Sequence, residues 1–222
     1  MPNPAITSIF FDMDGVIVDS EELHVAAEQQ TCFDHGFAID PKTWGGFKGQ
    51  TATDIFAHLI DKYGDPKKHD ATQLIDYKTD LFLKMAVEIE AIEGAIEFLE
   101  WSRRKFQHVV LVTSSNRRIQ RFVVKQLGIS NLFDHFINGD DVNNGKPHPE
   151  PYLKAMELSD AKPEESLVIE DSKSGIQSGK AAGCKVLAVT TSHSPEELKS
   201  AKPTFIALDY ADARHQLERY LA

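Results

Sequence analysis

Hydrophobic and polar positions divide the chain into two textures. From Ile6 to Phe11 the side chains are apolar except at Thr7 and Ser8, which predicts a buried strand, and the run stops at two aspartates, Asp12 and Asp14. Glu21 to Phe37 follows with Leu23, Ala26, Ala27, Gln30 and Phe33 near one helical face, Ser20 as its predicted N-cap and Gly36 as its stop. Thr53 to Tyr63 places Ile55, Phe56, Leu59 and Ile60 at helical spacing, and Ala71 to Ile89 reads as a third helix. No strand signal lies between Ser20 and Ile92.

From Glu93 onward helices and strands alternate. Helices are predicted over Glu93 to Lys105, Arg117 to Leu127, Leu153 to Leu158 and Gly175 to Ala182, with a last one ending at Leu221. Strands are predicted over His108 to Thr113, Phe133 to Asn138, Ser166 to Glu170, Lys185 to Val189 and Thr204 to Ala207. Such alternation implies βαβ units with right-handed crossovers and a parallel sheet. The fold class is therefore α/β, a Rossmann-like parallel-sheet core with helices on both faces plus a small all-helical subdomain. The expected division is 1–19 and 90–222 for the core and 20–89 for the helical insertion.

Composition is that of a soluble globular protein, 41% hydrophobic and 26% charged over 222 residues. With 24 basic against 34 acidic residues the formal charge is −10, a surface that attracts neither nucleic acid nor an anionic membrane. Cys32 and Cys184 form no CxxC motif, the N-terminus lacks the regions of a signal peptide, and no apolar run reaches membrane-spanning length. The expected location is the cytoplasm, with no obligate protein partner evident in the sequence.

Four clusters fall at predicted strand ends, where open α/β sheets bind ligands. Asp12 and Asp14 would repel each other in a desolvated cleft, so a cation, a shared proton or solvent must compensate. Thr113, Ser114, Ser115 and Asn116 place hydroxyls ahead of a helix N-terminus, which suits an anion, although capping by Ser115 or Asn116 accounts for the same residues. Lys146 is presented from a loop stiffened by Pro147, Pro149 and Pro151. Glu170 and Asp171 close another apolar strand with acids, and charges this close to the first pair would be costly without a divalent ion. Gly175 to Ala181 superficially resembles a phosphate-binding P-loop but has the wrong spacing, no hydroxyl residue after Lys180, and a helical pattern.

The segment Asp12-Met-Asp14-Gly-Val-Ile-Val-Asp19-Ser20, with Gly145-Lys146-Pro-His-Pro-Glu-Pro-Tyr152 and the Glu170-Asp171 pair in that order, resembles the motif series of the haloacid dehalogenase-like superfamily. The resemblance implies that Asp12 is a nucleophile forming an aspartyl-phosphate and that Asp14 protonates the leaving oxygen and later activates water. It further implies that Thr113, Ser114, Ser115, Asn116 and Lys146 bind phosphate, and that Asp12, Asp14, Glu170 and Asp171 form a Mg²⁺ site.

The insertion resembles the cap of the subgroup containing β-phosphoglucomutase and small-metabolite phosphatases, and on it His24, Lys48 and Lys78 correspond to residues that face the substrate. Each could equally be a surface residue. Those mutases carry an arginine four residues after the cap lysine to grip a second phosphate, and Ala52 stands there instead, which favours a phosphatase. The expected function is thus Mg²⁺-dependent hydrolysis of a small phosphorylated metabolite, a sugar phosphate in the first instance. The alternatives are a sugar-phosphate mutase and, from a different class, a catalytically idle binding module.

Overall fold

The structure, a computed structural model, describes residues 6–40, 43, 44, 47 and 50–222. Six parallel strands, β1 (Ser8–Phe11), β2 (His108–Val112), β3 (His135–Ile137), β4 (Ser166–Glu170), β5 (Lys185–Val189) and β6 (Phe205–Ala207), lie in the order β3-β2-β1-β4-β5-β6. Because successive side chains point to opposite faces, the apolar strands bury both. Ile9, Phe11, Val109, Leu111, Leu167 and Ile169 join one core cluster, while Phe10, Val110, Val112 and Val168 join another with Tyr152 and Ile176. β1 sits where the strand order reverses, so its carboxyl end opens into the crevice between diverging connections.

The core helices are α4 (Ala95–Lys105), α5 (Arg117–Gln126), α6 (Glu150–Leu158), α7 (Lys173–Ala181), α8 (Pro195–Lys199) and α9 (Tyr210–Leu221). Those of the insertion are α1 (Glu21–Asp34), α2 (Ala52–Tyr63) and α3 (Ala71–Met85). The insertion has an apolar cluster of its own, built on Cys32, Phe37, Phe56, Leu59 and Leu74, while Ala27 and Phe82 reach into the main core.

Several boundaries move for local reasons. α1 ends at Asp34 because Gly36 takes φ 75°, and α3 gives way to a 3₁₀ turn at Ala86–Glu88 instead of running to Ile89. α6 starts at Glu150, ahead of the predicted Leu153, since Pro151 is tolerated in a first helical turn. Ser20 makes no side-chain cap on α1, its hydroxyl being taken by Asp14 at 2.5 Å. The short helix α8 was not predicted, although Ser194-Pro-Glu-Glu197 forms a capping box there. Among the described residues no helix is long and apolar enough to cross a membrane.

Candidate active site

Asp12 follows β1 directly, and its amide donates to the Ile169 carbonyl at 3.0 Å, which extends the sheet by one bond and fixes the carboxylate at the strand end. Lys146 comes from the loop before α6 and reaches the same point. Its Nζ donates to Asp12 Oδ1 at 2.7 Å, to Glu170 Oε1 at 2.8 Å and to the Val112 carbonyl at 3.0 Å. An ammonium has three hydrogens, so all are committed. Burial opposes its charge, but the Asp12 and Glu170 carboxylates outweigh that and push the lysine up.

Glu170 is the most heavily bonded acid of the group. Besides Lys146, Oε1 accepts from the Tyr152 hydroxyl at 2.9 Å, and Oε2 accepts from the amides of Asp171 and Ser172 and from Ser172 Oγ at 3.0 Å. Gly175 on α7 makes the space, since a Cβ there would stand 1.7 Å from Glu170 Oε1. Across the crevice Gly15 turns the chain at φ 77°, and a Cβ on it would stand 2.1 Å from Asp171 Oδ2. These two glycines let carboxylates and backbone share one small volume.

Asp12, Glu170 and Asp171 offer ligand atoms that all lie within 4.8 Å of one another, all three residues being buried. Three carboxylates against the single ammonium of Lys146 leave an excess of negative charge. Burial, reinforced by the neighbouring acids and only partly opposed by Lys146, holds the Asp12 carboxyl well above its usual range. Burial followed by Glu170 pushes Asp171 up to about 8. A hard divalent cation is the complement that such an oxygen donor set lacks, so these residues fit Mg²⁺.

The Asp14 carboxylate, expected as a fourth metal ligand, is not part of that group, because its oxygens are engaged elsewhere. Oδ1 accepts from Ser20 Oγ and from His24 Nε2 at 3.0 Å, and Oδ2 accepts from Thr113 Oγ1 at 3.0 Å and Ser115 Oγ at 2.8 Å. Burial works against ionisation here, but the His24 ring and the serine hydroxyls outweigh it and hold Asp14 well below the ordinary carboxylate range. His24 is joined through Nδ1 to Lys78 Nζ at 2.6 Å and stacks on Phe82 with centroids 4.3 Å apart. A charged Lys78 donates only, so Nδ1 accepts from it and the Nε2 hydrogen is directed at Asp14. Burial lowers the proton affinity of Lys78, with Glu28 and Asp14 opposing.

The sequence-expected residues therefore separate into two joined groups. Asp12, Lys146, Glu170 and Asp171 converge on the strand ends, and Asp14, His24, Lys78, Thr113 and Ser115 form a hydrogen-bonded chain from insertion to core. Asn116 Oδ1 caps α5 through the Ile119 amide, and its Nδ2 donates to Thr79 at 2.7 Å. Ser114 and Asn116 line the same cavity as Asp12 and His24. Lys48 lies outside the described residues. In the sequence Ser20 stands as a helix cap at the end of the first motif and Gly175 as the start of a discarded P-loop pattern, and Glu28 carries no mark beyond its i,i+4 spacing from His24, which indicates a shared helix face and nothing more.

The model of the haloacid dehalogenase-like hydrolase family matches residues 9–189. Validoxylamine A 7'-phosphate phosphatase of Streptomyces hygroscopicus subsp. limoneus is 30% identical over 86% of this chain and 89% of its own. A phosphorylated carbohydrates phosphatase of Thermotoga maritima is 30% identical over 79% and 81%. The crystal structure of β-phosphoglucomutase from Clostridium difficile superposes with a TM-score of 0.83 at 23% identity, covering 97% of this chain and 99% of that one, a likeness of fold. The chain belongs to the haloacid dehalogenase-like hydrolase family. It is an enzyme, a phosphatase of phosphorylated compounds.

Proposed function

We propose that the chain is a Mg²⁺-dependent phosphatase that hydrolyses a small phosphorylated metabolite, a sugar phosphate in the first instance, through an aspartyl-phosphate on Asp12. The observation that carries this reading is the setting of the Asp12 carboxylate, buried at a strand end with Lys146 on one oxygen and Glu170 and Asp171 within ligand distance. The phosphatase relatives of sugar-like compounds support the substrate class. Residues 20–89 act as a cap over the strand ends.

In the first half-reaction an Asp12 oxygen bonds to phosphorus as the ester P–O bond breaks, and the leaving oxygen takes a proton from Asp14. In the second, Asp14 accepts a proton from water as that water attacks phosphorus, and the Asp12 P–O bond breaks to release inorganic phosphate. Asp14 as it stands, held ionised by four donors, suits the second half. A substrate dianion settling near Thr113 and Ser115 raises its proton affinity and draws the Ser115 hydroxyl away, which prepares the first half. Lys146 tempers the charge of Asp12, and it must exchange one of its three bonds to hold a phosphate oxygen. Asp12, Glu170 and Asp171 would hold Mg²⁺, which would supply charge neutralisation for the phosphoryl group.

Hydrolysis is preferred over transfer between two ends of a sugar because Ala52 lines the cavity where the mutases carry arginine, and because Lys78 is engaged by His24 and Glu28. Incubation with Mg²⁺, β-glucose 1-phosphate and a trace of glucose 1,6-bisphosphate tests this directly. Free phosphate without glucose 6-phosphate is expected; glucose 6-phosphate forming ahead of phosphate would establish the mutase instead.

A further inference from the structure

We propose that Glu28 is a specificity-determining residue of the substrate cavity, selecting phosphate esters of uncharged, hydroxyl-bearing alcohols over esters whose leaving group carries a second anionic group. The inference rests on the phosphatase reading above. Glu28 lies one turn beyond His24 on α1, and both residues line the cavity that contains Asp12 and Asp14. Its side chain is 6% exposed, and its ion-pair partner among the described residues is Lys78, with Oε1 and Nζ 3.6 Å apart. That is an electrostatic contact longer than a hydrogen bond. The shorter contact of Lys78 is to His24 Nδ1, so the ammonium is drawn toward the catalytic end of the chain and away from Glu28.

A carboxylate removed from water with so loose a partner is costly, and the cavity it lines also carries apolar side chains at Val25, Trp44, Phe47 and Ile55 beside its polar ones. An apolar residue would seal a cap helix better. What the acid adds is acceptor capacity, since a carboxylate offers about four lone-pair sites and Lys78 occupies one side of it. Leaving-group hydroxyls donate into those sites. A second phosphate or a carboxylate donates nothing and meets like charge at Glu28. The one lysine that the described residues place on this wall is already balanced by it.

The test uses the full chain with Mg²⁺ and compares kcat/KM for glucose 6-phosphate with that for fructose 1,6-bisphosphate. Wild type is expected to favour the monophosphate. Glu28→Gln keeps the size and removes the charge, and should shift the ratio toward the bisphosphate by about tenfold or more, mostly through KM. Glu28→Asp should restore the wild-type preference. A Glu28→Gln enzyme that turns over both esters at an unchanged ratio overturns the assignment, including the case in which melting temperature and both efficiencies fall together. If wild type hydrolyses no phosphate ester at all, the phosphatase reading beneath the proposal fails first.

Discussion

Gly175→Ala isolates the packing that holds the lysine and the acids together. The new methyl would stand 1.7 Å from Glu170 Oε1, roughly half of an ordinary carbon–oxygen contact, and the helix backbone behind it cannot retreat because α7 lies against β4 and β5. The carboxylate must therefore move, and the move strips Oε1 of Lys146 and Tyr152. Breaking a buried, hydrogen-bonded charge pair costs about 3–5 kcal/mol, offset by about 1 kcal/mol of improved helix propensity. The net loss is about 2–4 kcal/mol, which for a chain of this length lowers the melting temperature by about 4–16 °C. Gly179→Ala is the control, because its methyl would meet the Val168 and Val186 side chains at 3.0–3.2 Å, where a shift of a few tenths of an ångström suffices. Both variants are to be followed by thermal denaturation and by kcat/KM on p-nitrophenyl phosphate. The reasoning is refuted if Gly175→Ala melts with wild type and retains its turnover.

Asp134 accepts from the Val109 amide at 2.9 Å and from Arg103 at 2.6 Å, and these outweigh its partial burial to hold the carboxyl below its ordinary range, with His108 adding to the effect. A depressed folded value contributes stability above the unfolded value of about 3.9 that is lost as pH falls through the folded one. Asp134→Asn should therefore lose about 0.5–1 kcal/mol near pH 7, a modest figure because the pair is a third exposed, and the gap to wild type should close in acid; a constant gap from pH 7 to pH 2 would contradict this. Burial pushes the Cys32 and Cys184 thiols up to about 12, with Glu28 adding to Cys32. At pH 8 iodoacetamide should label neither in the native protein and both in denaturant, and native labelling at the denatured rate would show those thiols to be open.

The parts of this fold that can be read from sequence are those in which local pattern and tertiary demand agree. β4 and β5 have the expected bounds because doubly buried strands are continuous apolar runs flanked by turn residues. Asp12, Glu170 and Asp171 are visible as charges at strand ends, a placement that an apolar core does not tolerate without cause, and Lys146 as a charge on a proline-stiffened loop. The sequence could not show how they divide the work. That Ser20 gives its hydroxyl to Asp14 and not to its helix is set by the turn between them, and that Lys78 meets His24 across 54 positions depends on how α1 packs on α3, which no periodicity encodes. Gly175 and Gly179 looked like fragments of a phosphate loop, and their meaning emerged only from what a methyl would strike.

The central claim is that Asp12 carries the phosphoryl group. Purified protein mixed briefly with Mg²⁺ and a ³²P-labelled sugar phosphate, quenched in acid and digested, should yield one labelled peptide with the phosphoryl group on Asp12. Asp12→Asn should give no label and no turnover while melting cooperatively. Label on any other residue, or substantial turnover by Asp12→Asn, would contradict the account.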